Sequence, residues 1–391
     1  MDANRDKQIR ETLLKNEVGA LLLWRPDEIV MATGYLPLWG ISVCIYPAVG
    51  KPVIYVPELE PADILPADFR IQTYPWGIIE CADPWKELYA YLKADLDVLC
   101  PGQPVSFIKH IGSSAPPQIA GEGAPLPLDF IDQLMALSEG RYKDLTSEII
   151  GLYARKTSDE IEKIAKANRI AFLGIRAFYE HLIPGKTEVE VACIVETAIQ
   201  SQIGKDDIFY AKGWPYIMAG VNASFGGIYA RNTGKVLQEG ELVMIEMAVC
   251  VNGYWCDITR TALVGQTINT QQKNIFNAVE TAQQMALEMI KPGVQARNVD
   301  KKIRDYFQQT EFGAYFNHAL GHHVGFRYHD PGMGFNPNSN LVLEEGMVLT
   351  VEPGLYVQML GVGVRIENNI AVTVNGINLL SDYLTTWSLI H

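Results

Sequence analysis

The stretch that most restricts the fold is MIEMAVCVNGYWCDITRT, residues 244–261. Asn252-Gly253 separates two apolar segments, and a type I′ turn needs positive φ at both central residues, so the pair predicts a tight antiparallel hairpin. In a two-residue loop the numbers of opposed residues sum to 505, which sets Glu246 opposite Thr259 and Asp257 opposite Ala248. Side chains alternate faces along a strand. Glu246 and Asp257 therefore share a face as diagonal neighbours, roughly 5–8 Å apart at Cβ. Ala248, Cys250 and Trp255 lie on that face, and Ile245, Met247, Val249 and Val251 on the other. Neither face is polar enough for a solvated sheet, so two acids simply facing water is the poorer alternative. Two carboxylates this close in apolar surroundings repel unless one stays protonated or a cation intervenes. The pair makes sense around metal.

Histidine points the same way. Four of the seven histidines fall within HALGHHVGFRYH: His318, His322, His323 and His329. The His318–His322 spacing mimics a helical HxxxH pair, but the HExxH glutamate is missing and Gly321 and Gly325 argue against a helix. The cluster alone could be a polar loop. Imidazole beside carboxylates, however, suits Mn, Fe, Co or Zn. Two further acids end or interrupt apolar strands. GMVLTVEPGLYV places Glu352 just before a Pro-Gly turn, and GVGVRIENNIAV alternates with Arg365 and Glu367 on one face.

The rest of the chain supplies the frame. At 391 residues two domains are expected. Short strand-like runs (VGALLLW, ISVCIYPAV, KPVIYVPE) and a helical PWKELYAYLKADL suggest a mixed α/β domain over 1–150. Residues 101–127, rich in Pro and Gly, read as loop. A second domain over 155–391 opens on a capping box, Thr157 with Glu160. Helix, Pro-Gly, helix and then strands occur twice there, at Pro184-Gly185 and again 108 residues later at Pro292-Gly293. Two copies of one unit would pack about a pseudo-twofold axis with a cleft between them.

Composition limits the partners. A net charge of −13 argues against nucleic acid and anionic membrane surfaces. No apolar run approaches the roughly 20 residues of a membrane span. The charged start MDANRDKQIR shows no signal peptide, and the six cysteines lack any CxxC, so the expectation is a cytoplasmic protein with reduced, buried thiols.

Taken in order, an acid eleven residues before an Asp-Ile-Thr-Arg-Thr run, then HxLGHxxG, VEPG and R-I-E resemble the prolidase, aminopeptidase P and methionine aminopeptidase family, with creatinase as a metal-free relative. The motifs span 240–370 and are specific as a set. The resemblance implies a creatinase-type N-terminal α/β domain followed by a pita-bread catalytic domain. It implies two divalent metal ions, Mn foremost with Co, Zn or Fe as alternatives. Glu246 and Asp257 would bind one ion, with Asp257 and Glu367 as bridges, and His322 and Glu352 would complete the other. Glu352 would also move protons, His318 and His329 would orient substrate and stabilise the tetrahedral intermediate, and Arg365 would steady the ligand carboxylates. The implied substrate is a proline-containing dipeptide or short peptide, and the implied assembly a homodimer.

Two positions depart from the family pattern. Glu246 stands where most members have Asp, which lengthens that arm by one methylene. Tyr229 stands where prolidase-like relatives have a His, and a phenol carries no charge near neutral pH. Two other readings follow: a hydrolase or lyase of the same fold acting on a small amide or betaine-like metabolite, and a non-enzymatic binding module. Creatinase itself is disfavoured because all five ligand positions still hold a plausible ligand.

Overall fold

The structure is a computed structural model that describes residues 2–76, 83–109, 127, 129–227 and 230–383. The chain divides into two compact units, the first ending at Tyr153 and the second beginning at Ala154.

The first unit is a five-stranded mixed sheet with helices. Its strands are β1 (Ala20–Leu23), β2 (Val43–Pro47), β3 (Val53–Pro57), β4 (Arg70–Tyr74) and β5 (Val105–Ser106), in the order β4-β3-β2-β1-β5. The helices are α1 (Ala3–Lys15), α2 (Pro26–Thr33), α3 (Pro84–Leu99), α4 (Phe130–Leu137) and α5 (Thr146–Ala154). Leu88, Leu92 and Leu96 recur at i, i+4 and i+8 on α3 and bury one stripe against the sheet. One expectation fails within the predicted 101–127 loop. Val105 and Ser106 add a parallel edge strand beside β1, paired with Ala20 and Leu21. The Pro-Gly density around them hid a strand too short to show alternation. Residues 110–126 of that loop lie outside the described residues.

The second unit begins with α6 (Ser158–His181) and α7 (Glu188–Gln200), each opened by a complete capping box, Thr157 with Glu160 and Thr187 with Glu190. Three antiparallel strands follow: β6 (Ala211–Ala219), β7 (Leu242–Val251) and β8 (Tyr254–Leu263). Asn252 and Gly253 have φ of 50° and 92°, both positive, as the turn requires. The register pairs Glu246 with Thr259 and Ala248 with Asp257. Ile245, Met247, Val249 and Val251 pack under α6 and α7. The acids occupy the opposite face.

The pattern repeats with α8 (Thr270–Met289), α9 (Ala296–Gln308), β9 (Val348–Val351), β10 (Gly354–Val357), β11 (Val362–Arg365), β12 (Asn368–Val372) and β13 (Ile377–Leu379). The two halves share the bonds that follow each Pro-Gly turn, although the first builds one three-stranded sheet and the second a two-stranded and a three-stranded one. Gly185 N donates to Leu237 O and Leu237 N to Lys186 O, while Gly293 N donates to Leu343 O and Leu343 N to Val294 O. Gly240 N bonds Val264 O, and Gly346 N bonds Val372 O. Helices cover one face of each half, leaving the other faces to carry the polar residues of the site.

Two expectations are corrected here. The run GVGVRIENNIAV is not one alternating strand: β11 ends at Arg365 and pairs with β10, whereas β12 starts at Asn368 and pairs with β9 and β13. Glu367 sits in the break, so it leaves the sheet instead of alternating within it. Cysteines 44, 100, 250 and 256 are free and buried, but Cys193 is exposed on α7. Its helical position faces away from the stripe of Val191, Val195 and Ile199. Cys81 lies outside the described residues.

Candidate metal centre

Five acidic and imidazole side chains meet between the halves of the second unit. Glu246 comes from the middle of β7 and Asp257 from β8. Glu352 follows β9 directly, and Glu367 occupies the β11–β12 break. His322 lies on an irregular segment that runs beside β9, where His322 N donates to Thr350 Oγ1 instead of to a helical carbonyl, and Thr350 N donates to His322 O. Only glycine fits beside it at 321, since a Cβ there would stand 2.1 Å from Thr350 O. That close approach, not a helix, is what the Gly-His spacing encodes. Donor atoms of Glu246, Asp257 and Glu367, of His322, Glu352 and Glu367, and of Asp257, His322 and His329 each fall within 4.8 Å of one another.

Local hydrogen bonds set the imidazoles up as neutral ligands. His322 Nδ1 is 3.0 Å from His323 O, so Nδ1 carries the proton and Nε2 presents a lone pair. Nε2 stands 3.4 Å from both Asp257 Oδ2 and Glu352 Oε1. Burial lowers the His322 pKa to about 4, which keeps it neutral. His318 is held differently. Its Nδ1 donates to Ala319 O at 2.7 Å and its Nε2 accepts from Tyr356 O–H at 2.9 Å. Both ring nitrogens are thus engaged, and burial brings its pKa down to about 3. His329 packs edge-on against His322, with ring centroids 4.3 Å apart, and its buried Nδ1 has no hydrogen-bond partner.

The carboxylates are overcrowded. Burial first, then the charges of Glu367, Glu246 and Glu352, push the Asp257 carboxyl well above its ordinary value. Burial and the charges of Glu352 and Glu246 do the same to Glu367. Burial, opposed by Arg365, takes Glu352 from 4.5 to about 8. Asp257 Oδ1 and Glu367 Oε1 are buried without any hydrogen-bond partner. An orphaned carboxylate oxygen costs about 1–3 kcal/mol or more when charged. Oxygen donors plus one imidazole nitrogen, with lone pairs left open and repulsion unrelieved, are what a divalent cation requires. The residues present fit such an ion.

A pH dependence follows for metal-free protein. Glu352 binds its proton more tightly folded than unfolded, so its contribution to stability is complete below about pH 4.5 and is lost as pH rises through about 8. Protein stripped by chelator should lose melting temperature progressively across that window, and saturating divalent ion should flatten the profile. Equal slopes with and without metal in thermal scans would contradict this origin.

Arg365 takes a place its sequence position does not suggest. Its guanidinium pairs with Glu246 Oε2, not with Glu367 two residues away. It also donates through Nε to Thr259 Oγ1 at 2.8 Å and through Nη1 to Tyr356 OH at 2.9 Å. Three residues that the motifs did not single out belong to the site: Thr259, Tyr356 and Tyr328, whose phenol donates to Glu246 Oε1. Thr259 was visible as the strand partner of Glu246. Tyr328 was visible only as the neighbour of His329, and no periodicity marks Tyr356. Trp214 and Trp255 stack at 5.1 Å between centroids on the same sheet face as Asp257. Tyr229 lies outside the described residues.

Known proteins resemble this chain in sequence and fold. The profile of metallopeptidase family M24 matches residues 162–374. A Xaa-Pro dipeptidase of Pyrococcus horikoshii is 31% identical over 372 residues, 95% of this chain and 94% of that protein. The crystal structure of the prolidase from Pyrococcus horikoshii superposes with a TM-score of 0.79 at 28% identity, covering 99% of this chain and 100% of that one. An X-Pro aminopeptidase from Thermotoga maritima has the same fold, with a TM-score of 0.80 at 19% identity over 98% of this chain and 99% of that one. Similarity along nearly the whole length, together with the assembled acids and imidazoles, leads to one assignment: the chain belongs to metallopeptidase family M24 and is a hydrolase built on the pita-bread fold of the prolidases.

Proposed function

We propose that this enzyme cleaves the amide bond before proline in a dipeptide or short peptide, as a Xaa-Pro dipeptidase or an aminopeptidase P-like peptidase. The observation that carries the reading is the convergence of Asp257, His322, Glu352 and Glu367 with carboxylate oxygens left open. The 31% identity to a Xaa-Pro dipeptidase over 95% of the chain supports the substrate class. We assign Glu246, Asp257, His322, Glu352 and Glu367 to two divalent positions, Mn foremost and Co, Zn or Fe as alternatives. The N-terminal domain at 1–150, the catalytic domain at 155–391, a homodimer and a cytoplasmic location complete the reading.

Bound ions would supply Lewis acidity and a nucleophile at neutral pH. The chain's own groups do the rest. Glu352, with its proton affinity raised by burial, is able to take a proton and return it to the departing amine. His329 offers the unpartnered Nδ1 to the substrate. His318 acts through Tyr356, whose hydroxyl it holds between its own Nε2 and Arg365. No helix among the described residues is long and apolar enough to cross a membrane.

A substrate panel on metal-reloaded protein tests the reading. Gly-Pro-type dipeptides and X-Pro-containing tripeptides should be cleaved before proline, and their ratio separates dipeptidase from aminopeptidase. Turnover confined to small amides or betaine-like compounds would replace the peptide assignment with the metabolite one.

A further inference from the structure

The five assigned ligands are not equally free. Asp257 Oδ1 and Glu367 Oε1 have no hydrogen-bond partner, and His322 Nε2 faces two carboxylates at 3.4 Å. Glu246 is the opposite case, because both its oxygens already accept hydrogen bonds from buried side chains. Oε2 accepts from Thr259 Oγ1 and pairs with Arg365 Nη2, and Oε1 accepts from the Tyr328 phenol. The three donors are buried, with Tyr328 at 1% exposure and Thr259 at 0%. Arg365 and Thr259 lie on Oε2 together, and Arg365 Nε also donates to Thr259, so these two brace the acid from one side. Tyr328 stands alone on the other oxygen.

The longer arm matters here. The backbone of β7 fixes where residue 246 starts, opposite Thr259, and Glu extends one methylene further than Asp from that point. Tyr328 reaches the same carboxylate from the loop that carries His329 in the next position. Its hydroxyl donates to Glu246 and to no other side chain among the described residues. A carboxylate oxygen has two lone-pair sites, and Tyr328 occupies one on Oε1, so a cation binding there shares the oxygen with a buried phenol that has no other acceptor and weakens its hydrogen bond.

We infer that Tyr328 competes with metal for Glu246: its phenol holds one side of Oε1, and the ion beside Glu246 binds against that hydrogen bond. This rests on the metal-site reading above and deepens it. The two positions then load in order. The ion held by His322, Glu352 and the open oxygens of Asp257 and Glu367 enters first, and the ion next to Glu246 enters against Tyr328. Tyr328 is a positioning residue in this account, acting through Glu246.

Chelator-stripped full-length protein titrated with Mn²⁺ tests the inference, using calorimetry for affinity and Mn²⁺ electron paramagnetic resonance for mononuclear against paired ions. Wild type should bind a first ion more tightly than a second. Tyr328→Phe keeps the ring and removes only the donor, so it should tighten the second ion by about tenfold and leave the first within about twofold. Thermal scans of both proteins show that the variant is folded. Glu246→Gln should lose the second ion and keep the first. In the double variant Glu246→Gln, Tyr328→Phe, the gain should vanish. An unchanged second affinity in Tyr328→Phe, a gain shared equally by both ions, or a gain that survives Glu246→Gln would each overturn the inference. Absence of any Mn²⁺ binding in wild type would remove the metal site itself, whereas two ions bound with a null effect of Tyr328→Phe would leave that site standing and remove only the role of Tyr328.

Discussion

Glu367→Gln is expected to leave a folded protein that has lost on the order of 10³-fold in kcat/KM on a proline dipeptide. The physical basis is local. Glu367 belongs to two of the three donor clusters, and its Oε1 is one of the two carboxylate oxygens at the centre with no protein partner. An amide presents one neutral acceptor and an N–H₂ group in place of two charged oxygens. If metal contributes about 4 kcal/mol of transition-state stabilisation, its loss is worth roughly that factor. Elemental analysis of the desalted variant should show less bound metal than wild type. Full metal content with full activity would remove Glu367 from the centre.

Arg260→Met should be the most destabilising single change in the second unit. Arg260 is fully buried, and its guanidinium donates to Thr259 O, Glu367 O, Asn368 Oδ1 and the carbonyls of Ser381 and Tyr383. It clamps β8 to the β11–β12 break that carries Glu367, with Asn369 bracing the Asp257 backbone alongside. Removing it strands several buried carbonyls at once, for a loss of about 3–5 kcal/mol. Urea unfolding of metal-loaded protein, followed by tryptophan fluorescence, measures the loss. Arg260→Lys should recover part of it. A change below about 1 kcal/mol would show that the clamp is dispensable.

Much of this architecture is legible in the sequence because local rules agree there. Asn252-Gly253 dictates one turn type, that turn sets the register, and the register alone places Glu246 and Asp257 on one face. The doubled Pro-Gly punctuation exposes the two halves because each helix pair must stop at the same place to feed its sheet. What escapes is contact across large separations. Arg365 and Glu367 alternate in sequence, but a strand break between them sends the guanidinium to Glu246, 119 positions away. Tyr328 and Tyr356 carry no periodic signal, since each reaches the centre from a turn or a short strand. The hydrogen bonds that fix the tautomers of His318 and His322 depend on backbone carbonyls whose orientation no motif encodes. Val105 and Ser106 were missed for the reverse reason: a two-residue edge strand leaves too little pattern to see.

The central claim is that the clustered acids and His322 make a metal-dependent peptidase. The most direct measurement is hydrolysis of Gly-Pro by chelator-stripped protein before and after adding Mn²⁺, with Co²⁺, Zn²⁺ and Fe²⁺ in parallel. The account predicts negligible cleavage when stripped and restored cleavage when at least one of these ions is returned. Equal cleavage by stripped and reloaded protein, or none with any of the four ions, would contradict it.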